Sequence, residues 1–263
     1  MRTIGVLQLL FAVALTSAKP VLYHLEARSG PLGHRFAGWQ LEVLQILNRA
    51  DLEHLERFSR IVVPDAWTTD VLSYSPLPLR YAAADPVAKL LVVHQPWQAF
   101  GAYESGRLVR WGPVSSGRKA MQTPTGLFHL NWKSTGRRST VDPEWFMPWY
   151  FNFGNAEGLS FHQYALPGRP ASHACVRLLG ADARWLFDWG DEWTLDGSRR
   201  HILQPGTPVF IVGIYDFTAP APWQSPERLR VPIELPAVDI AATAATDAHE
   251  TGASRSRGVS SRK

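Results

Sequence analysis

The sequence predicts a mainly β domain carrying one short helix, with a small helical region ahead of it. Three observations carry this expectation. From Ala88 onward, short apolar or alternating runs recur between turn residues, which is the pattern of strands. Within that stretch one helical face stands out, made by Ala181, Trp185, Leu186 and Trp189, with Arg184 and Asp188 spaced to pair at i, i+4. Before residue 65 the period is helical, because Leu41, Leu44, Ile46, Leu47, Leu52 and Leu55 recur at three- and four-residue steps across residues 38–58. The 263 residues are 45% hydrophobic and 19% charged, enough for one good core and a small second unit.

Taken in order, the chain opens on an export leader. Arg2 supplies a positive start, Ile4 to Leu15 an apolar run, and Thr16-Ser17-Ala18 a small-residue end suited to cleavage after Ala18. The run is shorter than the roughly 20 apolar residues that cross a bilayer, so residues 1–18 are expected to be a signal peptide rather than a membrane span. The expected location is the periplasm or cell envelope. Residues 19–84 are expected to form a small N-terminal accessory region and linker. Within it Arg60-Ile61-Val62-Val63-Pro64 reads as a strand stopped by proline, and residues 65–87, rich in Pro, Ser and Ala, read as the linker. Leu44-Gln45-Ile46-Leu47-Asn48-Arg49 followed by Ile61-Val62-Val63-Pro64 resembles the second half of a LysM peptidoglycan-binding repeat. The first strand and helix of such a repeat are not recognisable.

Residues 85–215 carry the β pattern. Lys89 to His94 is a strongly apolar strand, residues 101–111 alternate around Glu104-Ser105-Gly106 as a hairpin does, and residues 127–132 and 208–215 read as further strands, the last launched by Gln204-Pro205-Gly206-Thr207. Residues 216–263 turn to Pro, Ala, Thr, Ser and Arg, and residues 249–263 are expected to be disordered because they bury too little to offset ordering. Eleven tryptophans are many for this length, and each is read first as a core residue. The formal charge of +4 is not gathered into a basic stripe interleaved with aromatics, so nucleic acid is not an expected partner.

The single cysteine, Cys175, forbids an internal disulfide, and an exported lone thiol is a liability unless buried or used. A catalytic cysteine needs a histidine to exchange protons and backbone N–H groups for an oxyanion. The stretch from His162 to Arg177 holds both kinds of group. His162 ends the alternating segment Leu159-Ser160-Phe161, the turn-forming Pro167-Gly168-Arg169-Pro170 can bring it back toward Cys175, and Arg177 adds a charge able to favour thiolate or hold a carboxylate. Composition and spacing alone leave an inert buried thiol, a core histidine and a metal site open. The usual metal pattern of paired cysteines or spaced histidines is missing from the sequence.

Ser172-His173-Ala174-Cys175-Val176-Arg177-Leu178 resembles the S-H-G-C-[IV]-R signature of the L,D-transpeptidase catalytic domain, the YkuD-type family. Val114-Ser115-Ser116-Gly117 with Thr123-Pro124-Thr125-Gly126-Leu127-Phe128 resembles its upstream element, Phe161-His162 its histidine, and Gln204-Pro205-Gly206-Thr207-Pro208-Val209 its closing turn and strand. The resemblance implies a β-sandwich-like domain with one short helix after the cysteine, over residues 85–215. It implies Cys175 as nucleophile, His162 as proton donor and acceptor, His173 as shaping the site, and the backbone at Ala174 and Cys175 as the oxyanion hole. Ser172, Arg177, Trp149 and Tyr150 are the expected substrate-binding residues. The implied substrate is a peptidoglycan stem peptide, cleaved after its third residue with release of D-alanine and transfer of the acyl group to a second amine. Inhibition by carbapenem-type β-lactams and the absence of a metal or organic cofactor are implied as well. An L,D-carboxypeptidase using water, and a non-catalytic peptidoglycan-binding protein, are the alternative readings. Two positions depart from the family pattern, Ala174 and Gln163, where glycine is usual. If position 174 needs a positive φ, alanine is strained there.

Overall fold

The apolar run Lys89–His94 is explained by where its two faces go. In the computed structural model, which describes residues 21–140 and 142–240, it is a central strand covered on both sides. Successive strand residues face opposite ways. Leu90 and Val92 enter one cluster of buried residues, while Leu91 and Val93 enter another. Both faces being buried, the strand has no polar alternation to show.

The elements follow in chain order. An N-terminal unit consists of β1 (Tyr23–Ala27), α1 (Gly38–Asn48), α2 (Leu52–Leu55) and β2 (Arg60–Pro64), with β1 and β2 paired antiparallel. The main sheet then uses β3 (Lys89–His94), β4 (Ala99–Glu104), β5 (Arg107–Ser115), β6 (Gly126–His129), β7 (Lys133–Arg138), β8 (Phe146–Gly154), β9 (Leu159–Gln163) and β10 (Val176–Leu178). After α3 (Gly180–Trp189) comes a small hairpin, β11 (Thr194–Leu195) and β12 (Ile202–Gln204), then β13 (Pro208–Val212) and α4 (Pro226–Leu229). The nine-stranded sheet has the order β6-β13-β3-β4-β5-β10-β9-β8-β7. It curls so far that Phe128 of β6 meets Phe153 of β8 at 5.5 Å between ring centroids. The two wings therefore face each other over Phe100, Val114, Phe151, Phe161, Val176 and Ile211, and α3 inserts Ala183 and Leu186 into the same core. This is the sandwich-like, mainly β domain with one helix after the cysteine that the sequence led us to expect.

Four expectations change in detail. The helix expected over residues 38–58 is broken, because Arg49 takes a left-handed backbone (φ 56°) and α2 restarts behind Asp51, whose carboxylate accepts from the His54 N–H. The strand before it, β1, carries no clean alternation and was not foreseen. Residues 65–87 are no free linker. Tyr74, Leu77, Tyr81 and Ala84 are buried, the Trp111 indole donates to the Val71 carbonyl at 2.7 Å, and Leu108 N–H donates to Leu79 O at 3.0 Å. Single large anchors among prolines give no period to read. Residues 218–240, grouped with the tail, return to the fold: Trp223, Leu229 and Ile240 are buried in the cluster that also holds Tyr23, Leu47 and Trp111. The leader at residues 1–18 and the tail end at residues 249–263 lie outside the described residues.

Candidate active site

Strands β9 and β10 run parallel, with Phe161 opposite Val176 and His162 opposite Arg177. In a parallel pair, facing residues point to the same side and alternate along each strand. Phe161 and Val176 go into the core. Ser160, His162, Cys175 and Arg177 are consequently brought to one face. The Ser160 hydroxyl lies 3.3 Å from the Cys175 thiol, and the thiol is 3.6 Å from the Gly158 carbonyl. A cavity of about 130 Å³ opens here, lined by Cys175, His162, His173 and Arg177 and walled by Trp145 and Tyr150. A larger groove of about 810 Å³ lies between the N-terminal unit and residues 219–228, but it holds no candidate nucleophile.

His162 is 4% exposed. Its Nδ1 lies 3.0 Å from the Gln163 carbonyl, a contact that places the ring proton on Nδ1 and leaves Nε2 as acceptor. Burial pushes its pKa down to about 4, the Gln163 carbonyl resisting and the Arg177 charge adding to the fall. It is a neutral imidazole at neutral pH, suited to take a proton. His173 sits at the cavity rim with its ring 4.9 Å from Trp145. Partial desolvation and the charges of Arg118 and Arg177 lower its pKa.

The backbone at Cys175 is held from behind. Ala174 has φ 77°, the left-handed region that favours glycine. Its carbonyl accepts from Thr123 Oγ1 at 2.8 Å, and Thr123 Oγ1 in turn accepts from the Gly117 N–H at 3.0 Å. In a trans peptide the C=O and the following N–H point in opposite directions. Anchoring the Ala174 carbonyl on Thr123 therefore turns the Cys175 N–H away from that anchor. At Gly117 an added Cβ would stand 2.1 Å from the Met121 carbonyl, so only glycine fits this support. Ser172 is 1% exposed and its hydroxyl donates to the Cys175 carbonyl, while its N–H donates to Ser116 O at 3.0 Å. Ser172 thus closes the turn around the cysteine.

Arg177 lies over the Tyr164 ring at 4.7 Å, with Nη1 3.4 Å from the Ala165 carbonyl, and no carboxylate pairs with it among the described residues. Tyr150 lines the cavity, its ring tilted against that of Trp132 at 5.1 Å between centroids. Trp149 does not line it. Its ring packs 5.4 Å from Phe187 of α3 with Arg184 above it at 4.5 Å, because neighbours in β8 face opposite sides. Sequence reasoning missed Ser160 and gave Thr123 no role; the first needs the parallel β9–β10 pairing to be known. Among the described residues no cluster of His, Cys, Asp or Glu could hold a metal, and no helix is long and apolar enough to cross a membrane.

Residues 88–211 match the family model YkuD, described as the L,D-transpeptidase catalytic domain. No curated protein matches the chain. Among solved structures it is similar to an L,D-transpeptidase from Xylanimonas cellulosilytica, at 25% identity over 67% of this chain and 81% of that one, TM-score 0.42. It is similar also to one from Stackebrandtia nassauensis, at 23% identity over 49% of this chain and 57% of that one, TM-score 0.39. A third is L,D-transpeptidase 3 from Mycobacterium tuberculosis in complex with a faropenem-derived adduct, at 19% identity over 48% of this chain and 60% of that one, TM-score 0.37. The chain thus spans less than two thirds of the length of the last two. The resemblance read from four sequence elements holds where those elements lie: it is residues 88–211 that match the L,D-transpeptidase catalytic domain model.

Proposed function

We propose that this chain is an exported cysteine acyltransferase that acts on peptidoglycan stem peptides through a thioester on Cys175. The observation that carries this reading is the gathering of Ser160, His162, Cys175 and Arg177 on one face of the β9–β10 pair, above a cavity. His162 Nε2 takes the thiol proton as Cys175 Sγ attacks the carbonyl of the third stem residue. The negative charge formed on that oxygen is held by the Cys175 N–H. As the C–N bond breaks, His162 returns the proton to the departing D-alanine amine, leaving a thioester. A second amine then attacks the thioester, gives its proton to His162, and the thiolate leaves and is reprotonated. Arg177, lacking a carboxylate partner among the described residues, is placed to hold a carboxylate of the donor stem. Ser160 keeps the thiol in the rotamer that faces the cavity.

Because the thiol–imidazole pair starts neutral at His162, the proton moves during attack rather than before it. That fits a base activated by its position more than by a preformed ion pair. Acylation of Cys175 by a carbapenem, whose β-lactam carbonyl the thiol would attack, is a further expectation of this reading. The reading is tested by D-alanine release from a disaccharide tetrapeptide. Wild type should release it, and Cys175→Ser should lower the rate by about 10²-fold or more, since a hydroxyl has a far higher pKa than a thiol. Release that survives in Cys175→Ser would remove the thiol mechanism.

A further inference from the structure

The connection from β9 to β10, residues 164–175, carries the nucleophile and contains no helix or strand of its own. Most buried backbone groups must find partners, and an irregular segment cannot satisfy its own. Half of the answer comes from the end of β5. Ser116 O accepts from the Ala171 and Ser172 N–H groups, each at 3.0 Å, and Ser115 Oγ donates to Arg169 O at 2.7 Å. The other half comes from the N-terminal unit. Asp51 N–H donates to Leu166 O at 3.0 Å, Gly168 N–H donates to Arg49 O at 3.1 Å, and Ala50 bridges Pro167 as a short antiparallel pair. One side chain completes the pairing: Asp51 Oδ2 accepts from the Leu166 N–H at 2.7 Å. Its other oxygen, Oδ1, accepts from the His54 N–H at 2.9 Å and lies 2.8 Å from His54 Nδ1. The surfaces are pressed together, since a Cβ on Gly168 would stand 2.5 Å from the Phe58 ring.

The turn that presents Asp51 is itself fixed to the main domain. Arg49 is fully buried and its guanidinium lies between the rings of Trp111 of β5 (5.2 Å) and Trp223 (5.7 Å). Its Nε donates to the Trp97 carbonyl at 3.0 Å, and no carboxylate pairs with it among the described residues. A buried charge without a counter-ion is costly, and its fixed donors specify one orientation of the turn.

We propose that Asp51 is a positioning residue for Cys175. Through it the strand–helix–helix–strand unit clamps the 164–175 connection and sets where the nucleophile stands relative to His162. The catalytic unit then begins at the N-terminal unit, not at residue 85. The link to catalysis rests on the reading of Cys175 as nucleophile; the clamp itself does not.

The test compares the full chain with Asp51→Ser and Asp51→Asn. Serine keeps the cap of α2 but is too short to reach Leu166 as well, and asparagine keeps the size with one acceptor oxygen. Hydrogen exchange in Asp51→Ser should quicken at the Leu166 and Gly168 amides, and in step across residues 171–175, by about tenfold or more, while β2 stays protected. Carbapenem acylation should slow about fivefold or more, since small misplacements of a nucleophile cost rate steeply. Asp51→Asn should fall between. Exchange that changes only around residues 51–55, or acylation equal to wild type in a variant whose connection has loosened, would overturn the proposal. Absence of acylation in wild type would instead count against the function of Cys175, and the exchange arm would still decide the clamp.

Discussion

At Ala174 the condition for strain set out from the sequence is met, since its φ is 77°. An L residue pays about 1–2 kcal/mol in this region, and glycine does not. Ala174→Gly should therefore raise the melting temperature slightly, the relief of strain exceeding the added freedom of the unfolded chain. It should also speed acylation of Cys175. Paired melting and acylation rates on the two proteins check this, and slower acylation in the glycine variant would make Ala174 an adapted feature. His162 carries the second residue-scale prediction. His162→Ala should depress acylation by 10²–10⁴-fold, the range for losing a general base, whereas His173→Ala, altering a ring at the rim against Trp145, should cost far less. With His162 pushed down to about 4 by burial, the acid limb of the wild-type rate should fall near pH 4 instead of near the ordinary histidine value of about 6.5. The proposed site residues His162, Cys175 and Arg177 were legible because they occupy a short, distinctive stretch. Ser160 was not, since one serine between Leu159 and Phe161 reads as ordinary alternation until the parallel partner strand is known.

Among the elements, strands buried on both faces were the easiest to read. Lys89–His94 and Pro208–Val212 show as apolar runs, and the β4–β5 hairpin announces itself by Glu104-Ser105-Gly106. The outer strands β7 and β8 were not foreseen. β7 is a polar run, Lys133 to Arg138, whose pairing with β8 is set by tertiary context instead of by its own pattern. Trp149 and Tyr150, expected together at the substrate groove, lie in one strand and so point apart. The segment after Phe217 shows how few anchors a tail needs: Trp223, Leu229 and Ile240 dock it, and the Tyr81 hydroxyl donates to the Pro236 carbonyl at 2.6 Å. The composition hid this because the apolar anchors are spread among Pro, Ala and charged residues with no period to read. Ending the chain at Phe217, which composition alone presents as harmless, should cost several kcal/mol, since losing one buried Trp is worth about 3–5. Chemical denaturation of the truncated and full chains measures it; equal midpoints would mean that residues 218–240 add nothing to stability.

For the whole molecule, buried titratable groups set the response to acid. His94 and His162 are both held neutral, each pushed down to about 4 by burial, so the unfolded chain binds more protons between about pH 6.5 and 4 and stability is lost as pH falls through that window. Asp182 acts in the opposite sense. Burial raises it to about 6 against the pull of Arg110, and its contribution is lost as pH rises through that value. Two histidines outweigh one carboxylate, leaving a net slope of about one proton, on the order of 1.4 kcal/mol per pH unit near pH 5. Urea midpoints at pH 7 and pH 5 should fall accordingly, and His162→Gln should flatten the slope; a midpoint unchanged or rising toward pH 5 would contradict the assignment. The same whole chain offers the most direct test of the thioester account. Intact-protein mass after incubation with a carbapenem should show one added inhibitor on wild type, mapped to the peptide containing Cys175, and none on Cys175→Ser. No adduct on a folded wild-type protein, or an adduct that persists in Cys175→Ser, would contradict it.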